Sequence, residues 1–497
     1  MARKHNLLFI YTDQQLFNTL AAYGNELIEM PNLNRFAAES VVFERAYCTE
    51  PICTPARASL LTGLYPHTHG CVENNMVLDE AVPCLPEMLD PGAYATAHYG
   101  KWHLGDECFA QHGFRDWIST EDGYHHTFRP GRDPDRKSTY HDYLTAAGFR
   151  PAKGERFSRA EAARLPEAHG KPAFLARAAT RFIAEHRDDP FILYVNFLEP
   201  HAPYHGPRDA QYQPGDIPLP DNFDAPPSAA QPLKARMMHA RYQRFGREGQ
   251  SLRTAEEWQQ LMARYWGLCS LVDTHVGSIL HAVDEAGLRD HTAIVFTSDH
   301  GDMMGAHRLL TKFLMFEESV RVPLMIRYPG QTTGKRVAGP VSHIDLLPTL
   351  LELLEAPIPG HLQGRSLCPL MTASSPAASA PVFIEWNWPS GRLSPFTGTE
   401  QQTRALVADD EALERVRQSV CDPVRTVISP DGWKLNISTS GEDECYDLNR
   451  DPGETVNRFH DPETQAIRRE LTARLRQWKH ETNDPAPAVG DGTGEER

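Results

Sequence analysis

The chain has 497 residues, 40% hydrophobic and 23% charged, enough to bury a sizeable core as one large domain or two unequal ones. Its formal net charge of −16 repels phosphate backbones at long range and excludes a general nucleic-acid binder. Nine cysteines, an odd total with no CxxC pair, exclude a disulfide framework. The N-terminus, MARKHNLLFIYTDQQ, joins a basic start to an apolar run of about six residues. That run is too short for a signal-peptide core or a membrane span, which predicts a cytoplasmic, soluble protein that engages no membrane.

Further along, NLLFIYT (6–12), YATAHYG (94–100), PFILYVNFLEP (190–200), TAIVFTSDHGD (292–302) and VPLMIRYP (322–329) lack polar alternation and read as strands covered on both faces. Helical patterns lie between them: MPNLNRFAAES near residue 30, then 172–187, 255–287 and 343–356. Strands separated by helices predict an α/β fold with a mainly parallel central sheet. Residues 119–160, rich in His, Arg, Asp and Gly, and 200–235, rich in Pro, read as long surface excursions. After a small-residue linker (371–381), VFIEW, RTVISPDGWKLNIS and a helix at about 463–481 read as a smaller α+β subdomain. The expected division is a catalytic domain over 1–372, a C-terminal subdomain over 380–485 and a disordered tail over 486–497.

In an open parallel sheet, ligands bind beyond the carboxyl ends of the strands. Those ends carry Asp13 and Gln14, Lys101 and His103, His201 after Glu199-Pro200, and Asp299 and His300. Each alone reads as a strand-end turn or a solvated loop residue. Together, Asp13, Gln14, Asp299 and His300 suit a divalent ion with mainly oxygen ligands, such as Ca²⁺ or Mg²⁺. Lys312 in LLTKFLMFEES alone reads as a solvated lysine.

The stretch PICTPARASLLTG (51–63) places Thr54 as an N-cap and Pro55 in the first helical turn, so Cys53 lies at the positive end of a helix. Such a position binds anions and lowers a thiol pKa. A thiolate phosphatase needs Cys and Arg six positions apart; position 59 is Ser, so that reading fails.

Cys53-Thr54-Pro55-Ala56-Arg57 resembles the C-x-P-x-R core of the formylglycine-dependent sulfatases, in the alkaline phosphatase superfamily. NLLFIYTDQQ, MPNLNRFAAES, YGKWHLG, SDHGDMMGAH, KFLMFEESVRVPLMIRYPG and ECYDLNRDPGETVN resemble further family segments, in the family's order and over nearly the whole chain. The resemblance implies an alkaline-phosphatase-like fold and hydrolysis of a sulfate ester. It implies that a separate maturation enzyme, formylglycine-generating or anaerobic, oxidises Cys53 to formylglycine. A sulfated gem-diol ejects sulfate as its second hydroxyl collapses to the aldehyde, whereas a sulfated serine or thiol would be stable.

Carried over, Cys53, Asp13, Gln14, Asp299 and His300 would hold one divalent metal, Ca²⁺ ahead of Mg²⁺ or Mn²⁺. Gln14 departs from the second aspartate of many members. Arg57 would orient the formylglycine hydrate, and Lys101 and Lys312 would neutralise the sulfuryl oxygens. His103 would take a proton from the hydrate and His201 would protonate the leaving oxygen. Asn75 falls where some relatives contact substrate. Phosphonate monoester or phosphodiester hydrolases share the machinery but carry hydroxyl residues in place of Lys101 and His103, which favours sulfate here. A catalytically silent anion-binding scaffold is disfavoured by the complete residue set. The expected substrate is a sulfated saccharide rather than an aryl or choline-like sulfate, with Arg129, Arg132 and Trp388 as candidate contacts.

Overall fold

The computed structural model describes residues 4–331, 333–372 and 379–487; residues 373–378 of the expected linker and 488–497 of the expected tail lie outside them. The main-sheet strands are β1 (Asn6–Asp13), β2 (Val41–Tyr47), β3 (Ala95–Gly100), β4 (Asp116–Ser119), β5 (Phe191–Pro200), β6 (Thr292–Ser298), β7 (Arg321–Arg327) and β8 (Lys335–Ser342), with the five apolar runs forming β1, β3, β5, β6 and β7. They make one sheet in the order β4-β3-β5-β1-β6-β7-β2-β8. Only β7 runs against its neighbours, β6 and β2; the remaining pairings are parallel. The fold is thus the mixed, mainly parallel α/β arrangement expected.

Alternation along β1 builds two cores. Leu7, Phe9 and Tyr11 pack with Ala58, Leu60 and Leu61 of the helix Cys53–Thr62 and with Leu346, Leu347, Leu350 and Leu351 of the helix Leu346–Leu353. Leu8 and Ile10 face the opposite layer, where the helices Pro31–Ala38, Lys171–Glu185 and Ala255–Glu285 pack. The last helix starts with a capping box: Thr254 Oγ1 accepts from Glu257 N and Glu257 Oε2 accepts from Thr254 N. Among the described residues, no helix is long and apolar enough to cross a membrane.

Three strands of this sheet lie outside the runs read from sequence. In β2 the polar pair Glu44-Arg45 sits where the register shifts against both neighbours, which hides the apolar pattern. β4 has four residues, and β8 is an edge strand carrying Gly339 and Pro340. The 119–160 stretch is not all surface: Tyr140 and Leu144 form a small core with Ala162, and Glu121 and Asp122 are buried.

A second, antiparallel sheet has the order β12-β11-β10-β9, with β9 (Val382–Trp386), β10 (Val424–Ile428), β11 (Trp433–Ser438) and β12 (Glu444–Asp447). Val427, Leu435 and Ile437 pack on Leu471, Leu475 and Trp478 of the helix Gln465–Thr482. Ile384, Trp386, Ile428 and Tyr446 join the core of the main sheet. All nine cysteines are free.

Candidate active site

The carboxyl end of β1 sits between those of β5 and β6, where the topology opens a crevice. Asp13 ends β1, Asp299 and His300 follow β6, and Lys101 follows β3 at Gly100. Gly100 has φ 119°, and a Cβ there would lie 2.0 Å from the Asn196 carbonyl oxygen, so only glycine lets β3 pass this close to β5. Left-handed backbone recurs at non-glycine residues around the crevice: Gln14, Asn75, His103, and Thr311 and Phe313 on either side of Lys312. Each such residue costs about 1–3 kcal/mol, a strain that concentrates where side chains must be aimed.

Cys53 is the first residue of its helix and is fully buried. Its Sγ lies 3.1 Å from Lys312 Nζ, 3.3 Å from His300 Nε2 and 3.8 Å from Asp13 Oδ1. Burial and Asp13 raise the thiol pKa, but Lys101, Lys312 and His300 outweigh them and it falls to about 6. Ligand atoms of Asp13, Cys53, Asp299 and His300 all lie within 4.8 Å of one another. His300 Nδ1 faces the Gly301 carbonyl at 3.0 Å, which leaves Nε2 for the cluster.

Arg57 lies behind this cluster. Its Nη2 donates to Asp13 Oδ2 (2.8 Å), its Nε to Asp299 Oδ2 (2.9 Å), and its Nη1 to Lys101 O (2.7 Å) and Asn196 Oδ1 (2.9 Å). Lys101 Nζ reaches the same Asp13 oxygen at 2.5 Å. Burial disfavours the Asp13 carboxylate, yet Lys101, Arg57 and Lys312 together hold it well below the usual range. The guanidinium therefore orients the two carboxylates from behind position 53.

Gln14 is fixed by residues the sequence reading missed. Its Nε2 donates to Tyr204 Oη at 2.9 Å and to Asp302 Oδ2 at 2.5 Å, and Oε1 accepts from Lys312 Nζ at 2.6 Å. Tyr204 donates to the same Asp302 oxygen, and Asp302 Oδ1 accepts from Met304 N and Thr311 N, so one carboxylate holds both the amide and the loop leading to Lys312. Two carboxylates, an imidazole nitrogen and an inward amide oxygen form a donor set that fits a hard divalent cation.

Thr54 is not the helix cap; Ile52 occupies that position without a side-chain bond. The Thr54 hydroxyl is taken up by two crevice loops instead, donating to His103 O and accepting from Asn75 N. His103 Nε2 and Asn75 Oδ1 lie 2.9 Å apart. Glu107, also missed, accepts from the amides of Trp102 and His103. Tyr124 stacks on His103 with ring centroids 4.0 Å apart. His201 Nδ1 lies 2.7 Å from Ala202 O. Burial, then Lys101, Arg57 and Arg159, push His103 well below its ordinary pKa; burial and Lys312 do the same to His201.

The expected peripheral contacts fare differently. Arg129 and Arg132 both pair with Asp106, and Trp388 is buried against Trp386 and Phe396 as a core residue. Asn196 carried a legible signal, a carboxamide inside the apolar strand YVNFLEP; Asp302 and Tyr204 lie within two and three residues of named positions. Tyr124 and Glu107 carried none.

A mainly parallel sheet with this crevice of carboxylates, lysines and a helix-end cysteine defines an alkaline-phosphatase-like hydrolase. A family model described as Sulfatase matches residues 5–356, and the chain belongs to that family; it is a sulfuric ester hydrolase. It is 28% identical over 493 residues to an ulvan-active sulfatase of Formosa agariphila, covering 97% of this chain and 82% of that one. It is 26% identical over 425 residues to an N-acetylglucosamine-6-O-sulfatase of Bacteroides thetaiotaomicron, covering 74% and 71%. The phosphonate monoester hydrolase of Silicibacter pomeroyi shares the fold, with a TM-score of 0.76 at 23% identity over 97% of this chain and 96% of that one.

Proposed function

We propose that the enzyme hydrolyses the sulfate ester of a sulfated saccharide, with Cys53 matured to formylglycine by a separate enzyme and one Ca²⁺ held by Asp13, Gln14, Asp299, His300 and position 53. The observation that carries this reading is the convergence of Lys312 Nζ and His300 Nε2 on Cys53 Sγ, at 3.1 and 3.3 Å. The saccharide part draws on the two sulfatase relatives.

When bound, the cation would polarise an oxygen of the sulfuryl group. As formylglycine, position 53 would supply a gem-diol whose one hydroxyl attacks sulfur and whose other later expels sulfate. Lys101 and Lys312 flank the reacting position and neutralise the sulfuryl oxygens, while Arg57 keeps the two carboxylates aligned. His103, held neutral by burial and the nearby cations, is ready to accept a proton. His201 delivers a proton to the leaving alcohol oxygen. Its Nδ1 is engaged by Ala202 O, which leaves Nε2 for that proton. Burial, then Lys312, keeps His201 neutral in the free enzyme, and an anionic ester between the lysines offsets the Lys312 part.

The phosphonate reading rests on shared fold and is disfavoured by Lys101 and His103. A panel of sulfated mono- and disaccharides, 4-nitrophenyl sulfate, choline sulfate and a phosphonate monoester, compared by kcat/KM with Cys53→Ala as control, tests the choice. A saccharide sulfate should lead. Equal rates across the panel, or a leading phosphonate, defeat it.

A further inference from the structure

One cation at the edge of the crevice has no task in this chemistry. Arg159 donates Nε to Glu121 Oε2 at 2.5 Å and Nη2 to Tyr124 Oη at 2.6 Å, which leaves Nη1 outside both bonds. Tyr124 links it to the centre. That ring stacks on His103, and its centroid lies 5.7 Å from Lys101 Nζ and 5.5 Å from the Arg159 guanidinium carbon. The tyrosine hydroxyl accepts from Arg159 and so keeps its own proton to donate.

The local charge is not balanced. Lys171 also pairs with Glu121, so two cations share one carboxylate. Asp13 also acts on Arg159 but is already paired with Arg57 and Lys101, and nearby Glu199 adds little: burial pushes it up to about 7 despite Lys171, and its Oε2 is buried without a partner. Exposure shows which member faces outward. The Glu121 and Lys171 side chains are 2% and 5% exposed, and Arg159 is 28% exposed. A guanidinium with a free edge beside a phenol hydroxyl matches the planar, two-oxygen geometry of a carboxylate.

We infer that Arg159 and the Tyr124 hydroxyl form a subsite for a carboxylate that the substrate carries beside its scissile sulfate ester. This rests on the sulfate-ester reading above and narrows it to substrates with two anionic groups. Such a substrate places its sulfate between Lys101 and Lys312 and its carboxylate on Arg159, with the Tyr124 ring between the two.

The test compares each acid with its own methyl ester, so that the ratio of kcat/KM within one variant cancels any general loss. The pairs are an O-sulfated hexuronate glycoside with its methyl ester, and 3-carboxyphenyl sulfate with its methyl ester. The wild-type enzyme should prefer the acid roughly tenfold or more. Arg159→Gln should abolish that preference, Arg159→Lys should retain part of it, and Tyr124→Phe, which removes only a hydroxyl, should lower it. No acid preference in the wild-type enzyme, or an undiminished one in Arg159→Gln and Tyr124→Phe, overturns the subsite. Acid preference in the aryl pair, with no turnover of the sugar pair, supports the subsite while sinking the saccharide reading.

Discussion

Asp302 Oδ2 accepts from the Gln14 carboxamide at 2.5 Å, so Gln14 has a single orientation with its oxygen toward Lys312. In Asp302→Asn, the side-chain oxygen is retained by the amides of Met304 and Thr311, which turns the new NH₂ against Gln14 Nε2. Gln14 then flips and presents nitrogen to the cation position. Affinity for Ca²⁺, measured by titration calorimetry, should fall roughly 10–100-fold. Unchanged affinity would remove Gln14 from the ligand set.

Arg57 bridges Asp13 and Asp299 with no exposed side-chain surface on any of the three. Arg57→Ala leaves buried Asp299 without its guanidinium partner and Asp13 with Lys101 alone, and should cost about 3–5 kcal/mol of stability in urea denaturation of the metal-free protein. Arg57→Lys should recover only part, because one ammonium cannot span both carboxylates. A loss under about 1 kcal/mol for Arg57→Ala would show that Lys101 alone balances the pair.

The legible parts of this protein are those where local pattern and global position coincide. Buried strands announced β1, β3, β5, β6 and β7, and the rule that ligands gather at strand ends then pointed to Asp13, Gln14, Lys101, Asp299 and His300. β2 was hidden because Glu44 and Arg45 occupy its register shift. Arg57 was correctly placed beside Cys53 in the helix, but its partners were not legible, since Asp13 and Asp299 lie 44 and 242 positions away. Tyr124 and Arg159 come from the stretch expected to be surface, where no periodicity marks a side chain that folds back over His103.

In its proposed role as proton donor to the leaving group, His201 matters most for poor leaving groups. His201→Asn should lower kcat/KM on an alkyl or saccharide sulfate about 10²–10⁴-fold and on 4-nitrophenyl sulfate far less. Equal losses on both would assign His201 to binding instead.

Buried His98, 3.3 Å from Tyr11 Oη, has its pKa lowered from 6.5 to about 3 by burial and by Arg57. Its folded value lies below the unfolded one, so its contribution to stability is complete above pH 6.5 and declines as pH falls toward 3. The stability difference between wild type and His98→Gln should therefore shrink by about 1.4 kcal/mol per pH unit below 6.5, read from urea midpoints. A difference independent of pH would mean that His98 is protonated in the folded state.

The central claim is that position 53 acts as an aldehyde hydrate rather than as the encoded thiol. Peptide mass spectrometry and sulfate release, measured on the same preparation co-expressed with a maturation enzyme, test it together. The fraction of Cys53 peptide carrying the aldehyde should equal the fraction of active sites, and Cys53→Ala should release no sulfate. Full sulfate release by protein whose Cys53 is wholly an unmodified thiol would contradict it.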